Sequence, residues 1–231
     1  MLAQPPEILY RDDWFLAVNK PAGIIVHSDG TANETLSSEL IDWGLVYGRE
    51  ADDLQALQRL DRETSGIVLF SLKKKTQPQF DAMIAERNVT KRYRAISQGY
   101  IEEDVLEITD PIGRDRHDAR KMRVSPTGKR AHTTVHTLNR FHADDMGPER
   151  TSLLVDLHTG RKHQIRVHLA HVGHPLLGDT LYGSSQSQKH GLMLHAAHMA
   201  FNHPVTKEDT VIDAPLPQRF IDLERPDSPN L

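Results

Sequence analysis

Arg59-Leu60-Asp61-Arg62-Glu63-Thr64-Ser65-Gly66-Ile67-Val68-Leu69-Phe70-Ser71-Leu72 sets a charged loop directly against a continuous apolar run. A strand with one wet face alternates polar and apolar residues. A run such as 67–72 is what a strand buried on both faces requires. The loop ahead of it holds a carboxylate, Asp61, with Arg at −2 and +1, and closes in a Ser-Gly turn. Cations that close favour the ionised carboxylate, which suits a nucleophile or an electrostatic stabiliser and disfavours a general acid. A surface salt-bridge cluster capping the strand would have the same composition.

Upstream, Glu7–Tyr10 and Trp14–Asn19 flank the polar Arg11-Asp12-Asp13 and read as a hairpin, with a further short strand expected over Gly23–Val26. Leu36, Leu40, Ile41 and Leu45 fall at helical spacing, predicting a helix over about 34–46. Downstream, Thr76 is a candidate N-cap for a helix carrying Phe80, Met83, Ile84 and Arg87. Strands are expected over 91–97, 133–138, 152–157, 192–201 and 210–213. A helix starting near Gly160 or Arg161 would present Ile165, His168, Leu169 and Val172, and a short one is expected around 217–223. Strands and helices intermix without a βαβα rhythm. The fold class is therefore α+β, with a central mixed, largely antiparallel sheet flanked by helices and loops.

Of the 231 residues, 38% are hydrophobic and 26% charged, enough apolar material for a sizeable core. No repeat, low-complexity tract or Gly/Ser linker divides the chain, so 1–231 reads as a single domain. No stretch approaches the roughly 18–20 apolar residues of a membrane helix. The first residues lack a signal peptide's basic and then apolar order, and a soluble, cytoplasmic protein is expected. The absence of Cys excludes a disulfide scaffold, a thiol nucleophile and Cys-ligated metal sites. No glycine-rich phosphate-binding motif is present, so no nucleotide cofactor is expected.

The net charge of −4 conceals a segregation. Residues 1–60 carry 4 basic and 10 acidic groups, whereas 61–140 carry 16 and 11. Within the latter, Arg114, Arg116, Arg120, Lys121, Arg123, Lys129 and Arg130 face only Asp115 and Asp118 over 113–130. That loop is either simply solvated or a local positive face for an anionic partner. Two other segments concentrate polar groups. In Lys91-Arg92-Tyr93-Arg94 the tyrosine is either a core anchor or a stacking platform for a nucleobase with cations on adjacent phosphates. In Thr159-Gly160-Arg161-Lys162-His163-Gln164-Ile165-Arg166-Val167-His168 basic groups crowd a helix start, where the dipole favours anions instead. Phosphate or carboxylate groups arriving from elsewhere would account for them. His163, His168, His171 and His174 do not form the i,i+4 pair of a zinc helix, and no metal is expected.

Together these segments resemble the RluA-type family of RNA pseudouridine synthases, which convert uridines of structured RNA into the carbon-linked isomer. The resemblance runs through Ile8–Asp13, Val18-Asn19-Lys20-Pro21-Ala22-Gly23, Arg59–Gly66, Lys91-Arg92-Tyr93, Thr159–Arg166, His174-Pro175-Leu176-Leu177-Gly178-Asp179 and Leu194-His195-Ala196. It implies the pseudouridine synthase catalytic fold without an S4-like domain. By the same resemblance Asp61 is the catalytic aspartate, and Tyr93 stacks on the target base and is a candidate for the final proton abstraction. Arg166 pairs with the aspartate. Arg59 takes the flipped base's place or holds the backbone. Arg62, Arg120, Lys121, Arg161 and His163 complete the expected RNA contacts. Gln58 stands where the family usually has His.

The expected function is isomerisation of specific uridines in ribosomal (23S) or transfer RNA, without cofactor. The alternative is a non-catalytic RNA-binding protein of the same fold acting in RNA folding or ribosome assembly. RNA is the expected partner, a membrane is not, and a monomer is the default.

Overall fold

The computed structural model describes residues 2–28, 30, 34–143, 148–183 and 190–225. Along the chain run β1 (Glu7–Arg11), β2 (Phe15–Lys20), α1 (Leu36–Asp42), α2 (Arg49–Asp53), β3 (Gln55–Ala56), β4 (Ser65–Ser71), α3 (Gln77–Ala85) and β5 (Val89–Gln98). There follow β6 (Val105–Ile108), β7 (Ile112–Arg114), β8 (Met122–Val124), β9 (Thr133–Phe141), β10 (Arg150–Leu157), α4 (Gln164–His171), β11 (Leu194–Asn202), β12 (Asp209–Asp213) and α5 (Gln218–Leu223). The chain forms two compact units, one of residues 1–91 and 196–214, the other of 92–195 and 215–231. The ladders β1–β2–β4, β3–β4 and β11–β12 of the first unit and β5–β10–β9–β6 of the second are antiparallel, and helices are few, an α+β architecture.

In the first unit the strand order is β1-β2-β4-β11, with β12 on β11 and β3 on β4. All seven residues of β4 are buried, as its unbroken apolar run requires. Its two faces serve two cores. Ile67 and Leu69 pack with Phe15, Ala17, Phe80 and Met83 on the α3 side. Val68 and Phe70 pack with Leu16, Val18, Leu36 and Leu40 on the α1 side. Each such side chain contributes about 1.5–3 kcal/mol on burial, so β2 and β4 form a stiff platform. The loop ahead of β4 grows from its end, where Gly66 pairs with Lys20. Gly66 has φ +111°, and a Cβ there would collide with the Ala196 backbone at its carbonyl oxygen, so no other residue fits.

The second unit has the order β5-β10-β9-β6, and β7 pairs with β8 in a separate ribbon. Tyr93 lies opposite Val155, and Val155 opposite Val135. The helix α4 is tied to that same face, since Thr133 Oγ1 meets His168 Nδ1 and Gln164 Nε2, each at 2.9 Å. Ile96, Leu177, Met193, Phe220 and Leu223 form a core under α5.

Four expectations need correction. Gly23–Val26 is a turn with one isolated bridge, Ile25 to Thr35. Its carbonyls are already taken by Lys20, Leu36 and Ser37, which leaves no ladder to build. The helix α1 stops at Asp42, short of residue 46, because Gly44 turns left-handed (φ +66°) and the amides of Leu45 and Val46 fold back onto the Leu40 carbonyl. The helix α4 starts at Gln164, after a turn closed by Gln164 N–H to the Arg161 carbonyl, with His163 left-handed at φ 57°. Arg161, Lys162 and His163 therefore precede the helix. Thr76 caps α3 by position only, its hydroxyl donating to the Lys73 carbonyl.

Candidate active site

Asp61 sits in the loop between β3 and β4, half-buried, with Arg59 and Arg62 exposed on either side. The loop is closed by Thr64 N–H to the Asp61 carbonyl at 3.1 Å. It is anchored from below by Lys20, which is fully buried at the end of β2. The Lys20 ammonium donates to the carbonyls of Pro21 (2.9 Å), Ile24 (2.7 Å) and Arg62 (2.9 Å). Gly23 N–H also donates to the Arg62 carbonyl, at 2.8 Å, and Arg62 Nε returns to the Gly23 carbonyl at 3.1 Å. Burial lowers the Lys20 pKa to about 7, against the opposing pull of the Glu63 and Asp61 carboxylates. The carboxylate of Asp61 is thus carried on a backbone that has little freedom to move.

The other residues singled out from sequence lie in the second unit. Tyr93 is 7% exposed, on the sheet face that α4 also uses. Its neighbours Arg92 and Arg94 do not accompany it. Arg92 bonds Asp156 at 2.9 Å, and Arg94 Nη2 bonds both carboxylate oxygens of Glu224, so the tyrosine is not framed by free cations. Arg166, from α4, is buried and paired with Asp179. His163 Nδ1 meets the Tyr182 hydroxyl at 2.7 Å, and the Tyr182 ring lies under the Arg166 guanidinium. Tyr182 thereby brings His163 and Arg166 together.

The basic segment is the β7–β8 ribbon and its flanks, with Arg114, Arg116, Arg120, Arg123, Lys129 and Arg130 exposed and Lys121 half-buried. Arg120 is not simply solvated. It bonds Asp118 through Nε (3.0 Å) and Nη2 (2.8 Å), and with its own backbone N–H it holds the Asp118 carboxyl down at about 2. Arg161 spends its Nε on the Arg130 carbonyl at 2.9 Å, so it braces the base of the ribbon. Among the described residues no cluster of His, Asp or Glu is arranged to hold a metal ion.

A model of the RNA pseudouridylate synthase family matches residues 14–171, which include Asp61, Tyr93 and Arg166. The chain belongs to that family. As an RNA pseudouridine synthase it is an isomerase. It is 36% identical over 222 residues to the uncharacterized RNA pseudouridine synthase YhcT of Bacillus subtilis, covering 95% of this chain and 71% of that protein. It is 34% identical to ribosomal large subunit pseudouridine synthase D of Vibrio cholerae (95% and 70% covered). It is also 34% identical to tRNA pseudouridine synthase C of Vibrio parahaemolyticus (90% and 89%). The solved structure of human RNA pseudouridylate synthase domain containing 1 is similar at 28% identity and a TM-score of 0.78, over 92% of this chain and 84% of that one.

Within this synthase, Gln58 stands where the resemblance places His. Its Nε2 lies 3.5 Å from Met199 Sδ, and its Oε1 is buried without a hydrogen-bond partner. Three residues with clear structural work escaped assignment from sequence: Lys20, Asp179 and Tyr182. Lys20 and Asp179 stand inside motifs quoted above, but their partners are set by tertiary structure alone.

Proposed function

We propose that this synthase acts on uridines of ribosomal or transfer RNA in the cytoplasm, as a monomer of one catalytic domain, with Asp61 as the catalytic carboxylate. The observation that carries the assignment is the Lys20 clamp. Three carbonyl bonds from a buried ammonium hold the loop that carries the half-buried Asp61. A carboxylate placed in this way serves nucleophilic attack on the anomeric carbon or the uracil ring, or elimination at the sugar. Tyr93 offers a ring for the extruded base, whose stacking returns about 1–3 kcal/mol of the cost of leaving the RNA stack. Arg166 is a fixed cation for an anionic group of the reaction. Arg59, Arg62, Arg161, His163, Lys121 and the exposed arginines of the β7–β8 ribbon meet phosphates. No cofactor enters the chemistry proposed.

The test is tritium release from RNA labelled at carbon five of uridine, offering unmodified ribosomal and transfer RNA separately. The wild type releases tritium from one class, and Asp61→Asn binds that RNA but releases none. Turnover by the Asn variant would remove Asp61 from its role. Binding without release by the wild type would favour a non-catalytic RNA-binding protein.

A further inference from the structure

Arg166 is restrained far beyond what its place on α4 requires. Its Nε donates to Asp179 Oδ2 and its Nη2 to Oδ1, each at 2.8 Å. The side chains are 8% and 0% exposed. Two parallel bonds of this kind fix the plane of a guanidinium as well as its charge. Asp179 is fixed in turn, because Oδ1 also accepts from the amides of Leu181 (3.1 Å) and Tyr182 (3.2 Å). It follows Gly178, whose φ is +75° and where a Cβ would collide with the Gly191 carbonyl, so the turn that presents Asp179 admits only glycine.

Tyr182 extends the arrangement to the basic ribbon. Its ring centroid lies 5.2 Å from Arg166 Cζ. Its hydroxyl accepts from the Met122 amide at 2.8 Å and meets His163 Nδ1 at 2.7 Å. The hydroxyl thus holds Met122 and His163 together, with the imidazole tautomer setting which of Tyr182 and His163 donates. Met122 opens β8, the strand that carries Arg123. A continuous line of contacts therefore runs from the Asp179 carboxylate through Arg166 and Tyr182 to the strand that carries the exposed Arg123.

We propose that Asp179 and Tyr182 are positioning residues for Arg166: Asp179 occupies the Nε–Nη2 edge, so that the cation serves the reaction through its end-on edge, and Tyr182 couples that orientation to the seating of RNA on the β7–β8 ribbon. The inference rests on the assignment of Arg166 to the reaction. Asp179→Asn keeps the Oδ1 acceptor for Leu181 and Tyr182 but turns an N–H toward Arg166 Nε. Tyr182→Phe keeps the ring under Arg166 and deletes only the hydroxyl.

The experiment is single-turnover tritium release at saturating RNA, at a temperature where circular dichroism shows every variant folded, with RNA affinity measured alongside. Asp179→Asn loses about 10²-fold in rate, the scale of a misplacement near 1 Å, while RNA affinity stays at the wild-type value. Arg123→Gln slows the wild type but adds nothing in the Tyr182→Phe background, a non-additivity that marks coupling. A wild-type rate in Asp179→Asn overturns the clamp, and additive effects of Tyr182→Phe and Arg123→Gln overturn the coupling. If the wild type releases no tritium, the assignment of activity fails, and the Nε–H resonance of Arg166 decides the inference separately. It is protected from exchange in the wild type, exposed in Asp179→Asn, and shifted by RNA only when Tyr182 retains its hydroxyl. Equal protection in both proteins, or an RNA shift undiminished in Tyr182→Phe, overturns it.

Discussion

The ammonium of Lys20 donates to the backbone carbonyl of Arg62 at 2.9 Å, one residue past Asp61. The bond joins the end of β2 to the loop that precedes β4, and two more donations to Pro21 and Ile24 complete it. Lys20→Met fills the same volume without a donor. The Arg62 carbonyl keeps Gly23 N–H, but those of Pro21 and Ile24 lose their Lys20 donor. At about 1–3 kcal/mol for each buried group left unpaired, the expected loss is about 2–6 kcal/mol. Urea unfolding reads it as a lower midpoint with an unchanged slope. A midpoint equal to that of the wild type would mean that water replaces the ammonium at this site.

The same lysine gives stability a pH signature. Burial holds its folded pKa at about 7, below the unfolded value of 10.5. Between those values the unfolded chain binds the extra proton, so stability rises with pH through that window and is flat in this respect below it. The slope from one such group reaches about 1.4 kcal/mol per pH unit. Subtracting the Lys20→Met curve from the wild-type curve isolates it. A difference that stays constant from pH 7 to pH 10 would show that Lys20 remains an ammonium throughout.

The strands were legible where a single residue pattern dictated them. β4 read as a strand because burial on both faces leaves nothing polar to interrupt it, β2 because it follows the polar turn of a hairpin, and α4 read as a helix because its core positions recur at helical spacing. Asp61, Tyr93 and Arg166 stand in dense local motifs, so they could be singled out. The end of α1 and the start of α4 could not be placed, because both depend on left-handed residues, Gly44 and His163, whose conformations follow from tertiary bonds. Lys20 was illegible as an anchor for a different reason. Its partners are carbonyl oxygens, which every residue has, and no sequence pattern marks which will converge on one ammonium. Asp179 and Tyr182 lie 13 and 16 positions beyond Arg166 in the chain, and only the turn at Gly178 brings them under it.

Gln58 is expected to be dispensable for turnover. Its amide has one weak sulfur partner and one buried oxygen with none. Replacing an unsatisfied polar group by an apolar one of similar shape is neutral or stabilising. Gln58→Met should therefore melt no lower than the wild type and keep its tritium-release rate within about threefold, a change under 1 kcal/mol in barrier. A tenfold or greater loss of rate in a protein of unchanged stability would place Gln58 in the chemistry.

The basic ribbon should not respond uniformly to neutralisation. For single-stranded RNA, each phosphate that the protein no longer neutralises lowers the slope of log affinity against log salt by about 0.7. Arg123 is exposed on β8, and Arg123→Gln is expected to remove one such increment. Arg120 is different, because its guanidinium is already committed to Asp118 through two bonds. Binding phosphate through Arg120 either breaks that pair or brings the Asp118 carboxylate close to the phosphate, so its net contribution is smaller. Arg120→Gln is thus expected to change the salt slope by less than half of the Arg123→Gln effect. Asp118→Asn, which releases Arg120, should steepen the slope. Filter binding over a range of potassium chloride concentrations measures all three. Equal effects from Arg120 and Arg123 would mean that RNA opens the Arg120–Asp118 pair, and no effect from either would leave the ribbon as solvated surface.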